Sequence, residues 1–194
     1  MADQILRNPA PYRGFIKPGS LDGYLGPISI FPGTTTATLN ASRFYYIPFY
    51  YPGLTITKIG AEITTGAAGA AVLGFYSDVD GTPTALLKQA TGTIDTNVTS
   101  TAGAPTELTL TGGFTFPNAI VWAAWNASAG PTVRTGTAAT TASDQWPFYA
   151  SNAAASTRGY LTDTTLGYNA TMPSSAYVSG LATAGNAPLI TIRL

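Results

Sequence analysis

Two consecutive stretches decide the fold of this chain: RFYYIPFYY (residues 43–51) and LTITKIGAEITT (residues 54–65). Both consist largely of aromatic and β-branched residues, which favour the pleated surface of a sheet. The pair Pro52-Gly53 between them is typical of a tight turn, so we predict two neighbouring strands. Pro48 has no N–H to give to a sheet ladder, which predicts an edge position or a bulge for the first strand.

Alternation in the second stretch predicts which of its side chains share a face. Side chains two residues apart in a strand point to the same side of the sheet. One face is expected to consist of Thr55, Thr57, Ile59, Ala61 and Ile63. Lys58 and Glu62 are expected on the opposite face.

Shorter strands are predicted further along the chain. They cover residues 71–77, 84–95 with a bend at Gly92, 106–116 with an interruption at Gly112-Gly113, 119–125 and 187–194. The stretch AIVWAAW (119–125) is the most apolar, and it is predicted to be a central strand because strands covered on both faces lose their polar alternation. No stretch has the 3.6-residue apolar period of an amphipathic helix.

The predicted fold class is all-β, a jelly-roll-like antiparallel β-sandwich with an extended N-terminal arm. Gly or Pro interrupts residues 1–40 every few positions, so this segment is expected to be an irregular arm that attaches to a partner or covers one end of its own sandwich. Residues 41–194 are expected to form the sandwich. Residues 127–175 within it are rich in Thr, Ala and Ser, and a region of this length is either functional or contains further strands.

The composition excludes several classes of function. The 194 residues contain no Cys and no His, and nine Lys and Arg balance nine Asp and Glu. Without these ligands and nucleophiles, no disulfide, zinc site, iron–sulfur cluster or Ser-His-Asp triad is predicted. The acids are spread singly, so no glycosidase carboxylate pair is predicted either. We therefore expect no enzyme, no cofactor and no metal.

Charge and hydropathy limit the partners as well. The cations are scattered, so nucleic-acid binding is not expected. No apolar run reaches the length of a membrane span. Residues 1–10 contain Asp3 and Arg7 and no apolar run, so no signal peptide is predicted and the chain is expected to be made in a cytoplasm.

Six aromatic side chains crowd the first strand, and they need partners on both of its faces. Alternate rings face opposite sides, so only half of them can enter one core. The other half must meet a second layer, a neighbouring subunit or a ligand. Aromatic residues are enriched at interfaces, and we predict that Phe44, Tyr46, Phe49 and Tyr51 contribute to a subunit interface in addition to the core. A sugar-stacking platform is the alternative.

A second aromatic group lies in the Thr/Ala/Ser-rich region. The candidate contact residues for a glycan or a partner protein are Asp144, Gln145, Trp146, Phe148 and Tyr149. Aromatic faces beside a carboxylate and an amide suit sugar stacking and hydroxyl recognition, and loops on a rigid sandwich commonly carry binding function. The alternative is that these rings anchor the loop to its own core.

Two kinds of short motif have simpler interpretations. The sequence DVDG (residues 78–81) resembles the start of a calcium loop, but Gln89 stands where an EF-hand closes with Glu. A turn is therefore favoured, because Asp and Gly supply turn conformations. Four Asn-x-Ser/Thr motifs, at Asn40, Asn97, Asn126 and Asn169, are attributed to the abundance of Ser and Thr.

Several of these stretches, taken in order, resemble a known family. They are RFYYIPF, LTITKIGAEITT, AAVLGFYSDVDGTPTALLKQATGTID, AIVWAAW and APLITIRL. The order is similar to that of β-sandwich domains in tailed-phage virion proteins, found in head fibres, decoration proteins and tail fibres. There, an aromatic-Pro-Phe strand precedes a GxYxDxxGxPxxLL hairpin, a YWxAxx strand and a C-terminal aPxixlR. The resemblance covers roughly residues 40–130 and 187–194. Val121 replaces the Tyr of the third pattern, and the long Thr/Ala/Ser-rich region has no counterpart.

The resemblance implies a non-enzymatic, surface-exposed virion protein, usually oligomeric. The expected function is a structural protein that decorates a phage capsid or forms a head fibre. The expected partners are the major capsid protein or the tail, with a homo-oligomer of this chain, preferably a trimer. The alternative is a receptor-binding tail-fibre tip or lectin-like module that recognises host surface glycan. A carbohydrate-binding module from a secreted enzyme is a weaker third possibility.

Overall fold

The computed structural model describes residues 34–136, 161–163, 166–176, 181–183 and 187–194. Every named element in these ranges is a β-strand. The strands are β1 (Thr34–Thr38), β2 (Phe44–Phe49), β3 (Thr55–Ala61), β4 (Ile63–Thr65), β5 (Ala70–Val79), β6 (Thr82–Gln89), β7 (Ile94–Asp95), β8 (Thr106–Thr115), β9 (Val121–Ala127), β10 (Thr132–Gly136), β11 (Leu161–Asp163), β12 (Leu181–Thr183) and β13 (Ile190–Arg193).

All pairings between these strands are antiparallel. The described chain is an all-β antiparallel sandwich, which confirms the predicted fold class. The jelly-roll detail stays a prediction. Residues 1–33 of the predicted arm lie outside the described residues.

The larger layer is a sheet with the strand order β12-β11-β2-β9-β5-β6, in which β7 also pairs with β5. Every residue of β2 and of β9 is buried. Their sequences, FYYIPF and VWAAWNA, have almost no polar side chain to turn towards water, so they fit only where both faces of the sheet are covered. The central position predicted for the AIVWAAW stretch is confirmed.

Pro48 does not belong to an edge strand, which corrects the prediction made from its missing N–H. The strand that contains it, β2, lies between β11 and β9, and Pro48 pairs with Trp122 of β9. Proline is tolerated here because the described part of β11 pairs with β2 only from Phe44 to Tyr46. Pro48 lies beyond the last of these pairs, so its missing N–H removes no bond from the β11 ladder.

The second layer consists of two smaller sheets, β13-β3-β8 and β1-β10-β4. Only Glu62 separates β3 from β4, and its carbonyl oxygen accepts a hydrogen bond of 2.8 Å from the Arg134 N–H of β10. The two small sheets therefore continue each other. The sandwich core between the layers includes Ile47, Phe49, Leu73, Phe75 and Trp125 from the large sheet, and Ile56, Ile59, Ile63, Val133 and Ile192 from the small sheets.

A bulge corrects the face predicted for the start of β3. Thr55 and Thr57 are exposed, whereas Ile56 between them is buried. The register between β3 and β8 shifts between Ile56 and Lys58, close to Gly112-Gly113 of β8. Both glycines have positive φ angles, +77° and +72°, a conformation that glycine adopts without steric penalty. At this shift two residues, Thr57 and Lys58, separate the buried Ile56 and Ile59, so the alternation moves by one residue and the apolar face of β3 starts at Ile56 rather than at Thr55.

Four strands lie where the sequence analysis assigned no specific strand, although further strands were one of its two possibilities for residues 127–175. β1 lies inside the segment expected to be an irregular arm, β10 and β11 lie inside the long Thr/Ala/Ser-rich region, and β12 follows it. β1 and β10 pair along their whole length. Their sequences, TTTAT and TVRTG, have β-branched residues but almost no apolar alternation, which is why the pattern does not separate them from loops.

Candidate functional site

The four aromatic residues predicted at a subunit interface are all buried inside one chain. Phe49 and Tyr51 lie in the sandwich core, where the ring centroids of Phe49 and Phe75 are 6.4 Å apart. Phe44 and Tyr46 lie on the other face of the large sheet, with stacked rings 5.8 Å apart. Their burial agrees with the predicted role in the core. None of these four rings is exposed for a contact with another subunit.

The outer face of the large sheet carries a second apolar cluster, which we call the second core. Residues 166–176 cover it, and we call this segment the strap. The second core includes Phe44, Tyr46, Val72, Tyr76, Trp122 and Ala124 from the sheet and Met172 and Ala176 from the strap. The sequence left three partners open for the surplus rings of β2. The structure supplies the first of them, a second layer, from the same chain.

Side chains of β5 and β6 hold the strap in place. The Gln89 side-chain amide donates from Nε2 to the Ala170 carbonyl oxygen (2.8 Å), and its Oε1 accepts from the Met172 N–H (2.9 Å). The Tyr76 hydroxyl donates to the Pro173 carbonyl oxygen at 2.8 Å. Burial raises the pKa of the Tyr76 hydroxyl far above its ordinary value, which keeps the donated proton in place.

The strap approaches the sheet closely because Gly74 has no side chain. A Cβ at this position would lie 2.6 Å from Met172 Sδ and 2.7 Å from the Lys88 carbonyl oxygen. Nearby, the buried Asn126 accepts a hydrogen bond on Oδ1 from the Asn169 N–H at 3.3 Å. The Asn-x-Ser motif at Asn126 is therefore part of the folded interior and cannot accept a glycan there.

The large sheet curves around the strap. Backbone hydrogen bonds of 2.6 and 2.9 Å join residues 174–176 of the strap to residues 84–86 at the outer edge of β6. Only five peptide steps lead from Ala176 to Leu181 in β12, at the opposite edge of the sheet. Five steps reach ~18 Å, whereas the six strand spacings from the strap to β12 in a flat sheet would span ~29 Å. Curvature is thus required for the chain to return.

The DVDG motif forms a hairpin turn, as predicted. Asp80 and Gly81, between β5 and β6, both have positive φ angles of +50° and +77°, as in two-residue hairpin loops. Asp78 Oδ1 accepts a hydrogen bond of 2.7 Å from the indole N–H of Trp122, and Oδ2 accepts one of 3.3 Å from the Gly81 N–H. The described residues contain no group of three or more His, Cys, Asp or Glu placed to hold a metal ion.

Two carboxylates on the second layer take part in ion pairs between strands. Glu62 binds Arg134 through two hydrogen bonds of 2.9 and 3.2 Å. Hydrogen bonding from the Arg134 side chain holds the pKa of Glu62 below its ordinary value. Glu107 binds Lys58 at 3.2 Å and Arg193 at 3.0 Å. Both carboxylates therefore link neighbouring strands and stabilise the second layer.

Three stretches of the chain leave the described structure beside one another. Thr34, the first residue of β1, pairs with Gly136, the last residue of β10. The neighbouring Thr135 forms a β-bridge with Pro188, close to the point where the C-terminal segment begins. We call this place the exit corner, defined by Thr34, Gly136 and Pro188.

The candidate contact residues that the sequence predicts in a loop, which we call the aromatic loop, follow Gly136 and lie outside the described residues. They are Asp144, Gln145, Trp146, Phe148 and Tyr149. The exit corner nevertheless fixes where their segment starts, next to the point where residues 1–33 join β1. The two segments that the sequence singled out for partner contacts are thus connected to adjacent strands.

Comparisons with models of protein families and with curated proteins found no match for the chain. The residues that the structure describes include no helix long and apolar enough to cross a membrane.

The sequence did not predict the strap or the side chains that hold it. Leu166, Tyr168 and Met172 lie at alternating positions of LGYNATM (166–172), but this alternation is short and belongs to a longer Thr/Ala/Ser-rich region to which the sequence analysis assigned no strand. A second signal was indirect: the surplus rings of β2 required a second layer, and this stretch contained apolar residues that were not assigned to any core.

Proposed function

We propose that this chain is a non-enzymatic structural protein of a tailed-phage virion, where it decorates the capsid or forms a head fibre on the particle surface. One observation carries the proposal. Three of the stretches that resemble the family, although distant in sequence, lie on consecutive strands of one sheet, in the order β2-β9-β5-β6. The likeness thus follows the central sheet of the sandwich rather than scattered turns.

The fold suits this function, because a sandwich with two packed cores carries two further segments of the chain at neighbouring strand ends. Its central sheet is covered on both faces, by the sandwich core and by the strap. Residues 1–33 end at the exit corner, and the segment that leads to the aromatic loop begins there. An extended segment gains contact area on a partner without needing a core of its own. We propose that residues 1–33 attach the sandwich to the particle.

The charges of the scaffold suit contacts that depend little on salt. Glu62 and Glu107 are bound to cations of the same chain, and the net charge is zero. Contacts made by such a neutral, Thr-rich surface are weakly screened by ions. Attachment to the particle is therefore expected to persist at high salt.

The proposal is tested on virions of the phage that encodes the chain. Antibodies raised against the recombinant full chain are used for immunogold labelling of purified particles in the electron microscope. Label on the head supports the decoration or head-fibre function. Label confined to the tail tip supports the receptor-binding alternative. Particles without label, together with absence of the chain from their protein composition, would overturn the proposal.

The receptor-binding alternative depends on a specific observation in the sequence, the grouping of Trp146, Phe148 and Tyr149 with a carboxylate and an amide. Trp146→Ala is expected to abolish binding to host cells or to a glycan array, and Trp146→Phe, which keeps an aromatic face, is expected to retain much of it. Equal binding by all three proteins would remove this group as the glycan site. Light scattering of the variants checks that the oligomer is unchanged.

A further inference from the structure

We infer that the open edge of β1 binds the same edge of a second copy of this chain, so that two β1 strands pair antiparallel about a two-fold axis through Thr36. This inference goes beyond the proposed function, because it names a surface and its partner whatever particle carries the protein. The pairing joins the β1-β10-β4 sheets of two copies into one continuous sheet.

Three other strand edges of the described chain, those of β6, β8 and β4, carry features that prevent pairing. The edge of β6 has register shifts, and the strap binds along it. The edge of β8 is interrupted at Gly112-Gly113, and Thr91 forms a bridge to Thr109 on its outer side. On β4, Ser100 bonds to both backbone groups of Ile63. Bulges and covering segments of this kind are how proteins prevent strand addition at an edge.

The edge of β1 has none of these features. Among the described strands, β10 is its only neighbour, and the register of the pair runs without a shift from Thr34 to Thr38. The sequence TTTAT has no charge, no proline and no glycine. Thr35, Thr36 and Thr38 are exposed. A regular, uncharged edge rich in β-branched residues is a template for a further strand.

The direction of the unpaired backbone groups follows from the ladder. The Leu39 N–H donates to the Pro131 carbonyl oxygen at 3.0 Å, so odd-numbered residues of β1 face β10. The hydroxyls of Thr38 and Thr132 lie 2.9 Å apart, as expected for a pair without backbone bonds, whose side chains approach more closely. The N–H and C=O groups of Thr36 and Thr38 therefore point away from β10, towards the open edge.

The edge complements itself. When two copies of TTTAT pair antiparallel about Thr36, Thr36 lies opposite the partner's Thr36 and Thr38 lies opposite the partner's Thr34. All outward backbone groups then find partners, and no like charges meet. Threonine pairs across strands already recur in this chain, as at Thr55 and Thr115, whose hydroxyls lie 2.8 Å apart. A five-residue edge is a small contact, so the dimer is expected to be weak and to form only at high protein concentration.

The test uses charge at the centre of the two-fold contact. Thr36→Lys and Thr36→Asp each place like charges opposite each other in a homodimer, and both variants are expected to be monomeric. An equimolar mixture of the two places Lys opposite Asp and is expected to restore association. Sedimentation velocity, from micromolar to near-millimolar protein, measures the dimer fraction. Val98→Lys is the charge-matched control at an exposed position outside β1, and it is expected to associate like the original chain.

A second variant tests the backbone rather than the side chain. Thr36→Pro removes one outward N–H and takes none from the β10 ladder, so it is expected to reduce association at an unchanged melting temperature. A chain that stays monomeric at the highest concentration would overturn the inference. So would an oligomer that Thr36→Lys, Thr36→Asp and Thr36→Pro all leave intact, because its interface would lie elsewhere. Dimerisation that appears only when residues 1–33 are removed would also overturn it, since that segment would then occupy the edge.

Discussion

At the scale of single residues, the charged and polar side chains of the described chain mainly position strands. Asp78 caps the β5–β6 turn and binds Trp122 of the next strand. Gln89 binds the strap, and Glu62 joins two strands of the second layer. Each of these side chains makes directed hydrogen bonds inside the protein, so a small number of charged residues is enough to position the strands.

We predict that Asp78→Ala lowers the free energy of unfolding by about 1.5–3 kcal/mol, since a hydrogen bond to a charged acceptor is lost at the buried Trp122 ring. Asp78→Asn keeps an acceptor oxygen and is expected to lose less. Urea unfolding followed by tryptophan fluorescence measures both variants. An equal loss of unfolding free energy in the two variants would show that the charge of Asp78, rather than its hydrogen bond to Trp122, stabilises the fold.

The ion pair of Glu62 predicts a dependence of stability on acid pH. Arg134 lowers the pKa of Glu62 in the folded chain, so Glu62 stabilises the fold above its ordinary pKa of 4.5, and this contribution is lost as the pH falls through the lower, folded value. The pair is partly exposed, and a loss of less than ~1 kcal/mol is expected. Glu62→Gln is expected to be less stable than the original chain at neutral pH and to converge with it in acid. If the difference in stability between Glu62→Gln and the original chain did not change with pH, the pH dependence could not be assigned to the Glu62 ion pair.

At the scale of elements, the sequence predicted the strands that have apolar contrast and missed those without it. RFYYIPFYY, AIVWAAW and the DVDG hairpin lie where they were expected, since aromatic runs and turn residues are strong local signals. β1 and β10 were missed because a Thr-rich strand looks like a Thr-rich loop until its partner is known. The shift of alternation in β3 occurs where its register with β8 changes, which no local pattern of β3 could reveal.

The strap offers a direct test of whether this element belongs to its own chain. Ala85 and Ser175 form an antiparallel bridge flanked by backbone bonds, which makes them a closely spaced pair without bonds of its own. Ala85→Cys combined with Ser175→Cys is therefore expected to form an intrachain disulfide on oxidation. The closed loop is long, and the bond is expected to raise the free energy of unfolding by up to about 4 kcal/mol.

The natural chain has no Cys, so every crosslink in this experiment comes from the two introduced residues. Non-reducing electrophoresis distinguishes the intrachain bond from a crosslinked dimer or trimer. The two single-Cys variants are the controls for random oxidation at the surface. Crosslinked oligomers specific to the double variant would mean that the strap is exchanged between copies and does not pack on its own chain.

At the scale of the whole molecule, the surplus aromatic rings show how far sequence reasoning reaches. The period of two in β2 required a partner for the rings on each face, and this was correct for Phe44 and Tyr46. Whether that partner was another subunit or the same chain depended on residues 166–176, more than one hundred positions away. Local periodicity shows that a face is apolar, but the identity of the segment that covers it is a property of the tertiary fold.

The boundary of the N-terminal arm gives the last prediction. The sequence placed it at residue 40, but β1 pairs with β10, and Leu39 is buried in the sandwich core. A chain without residues 1–33 is therefore expected to melt close to the full chain. A chain without residues 1–40 should lose at least the ~2–5 kcal/mol of an emptied leucine site, together with the β1 ladder. Thermal unfolding by circular dichroism compares them.

The chain without residues 1–33 is then suited to a particle-binding assay, because loss of attachment by a folded sandwich would locate the attachment in the arm. Normal attachment by this folded chain would remove the arm from the proposed function and leave the sandwich surface or the aromatic loop to make the contact.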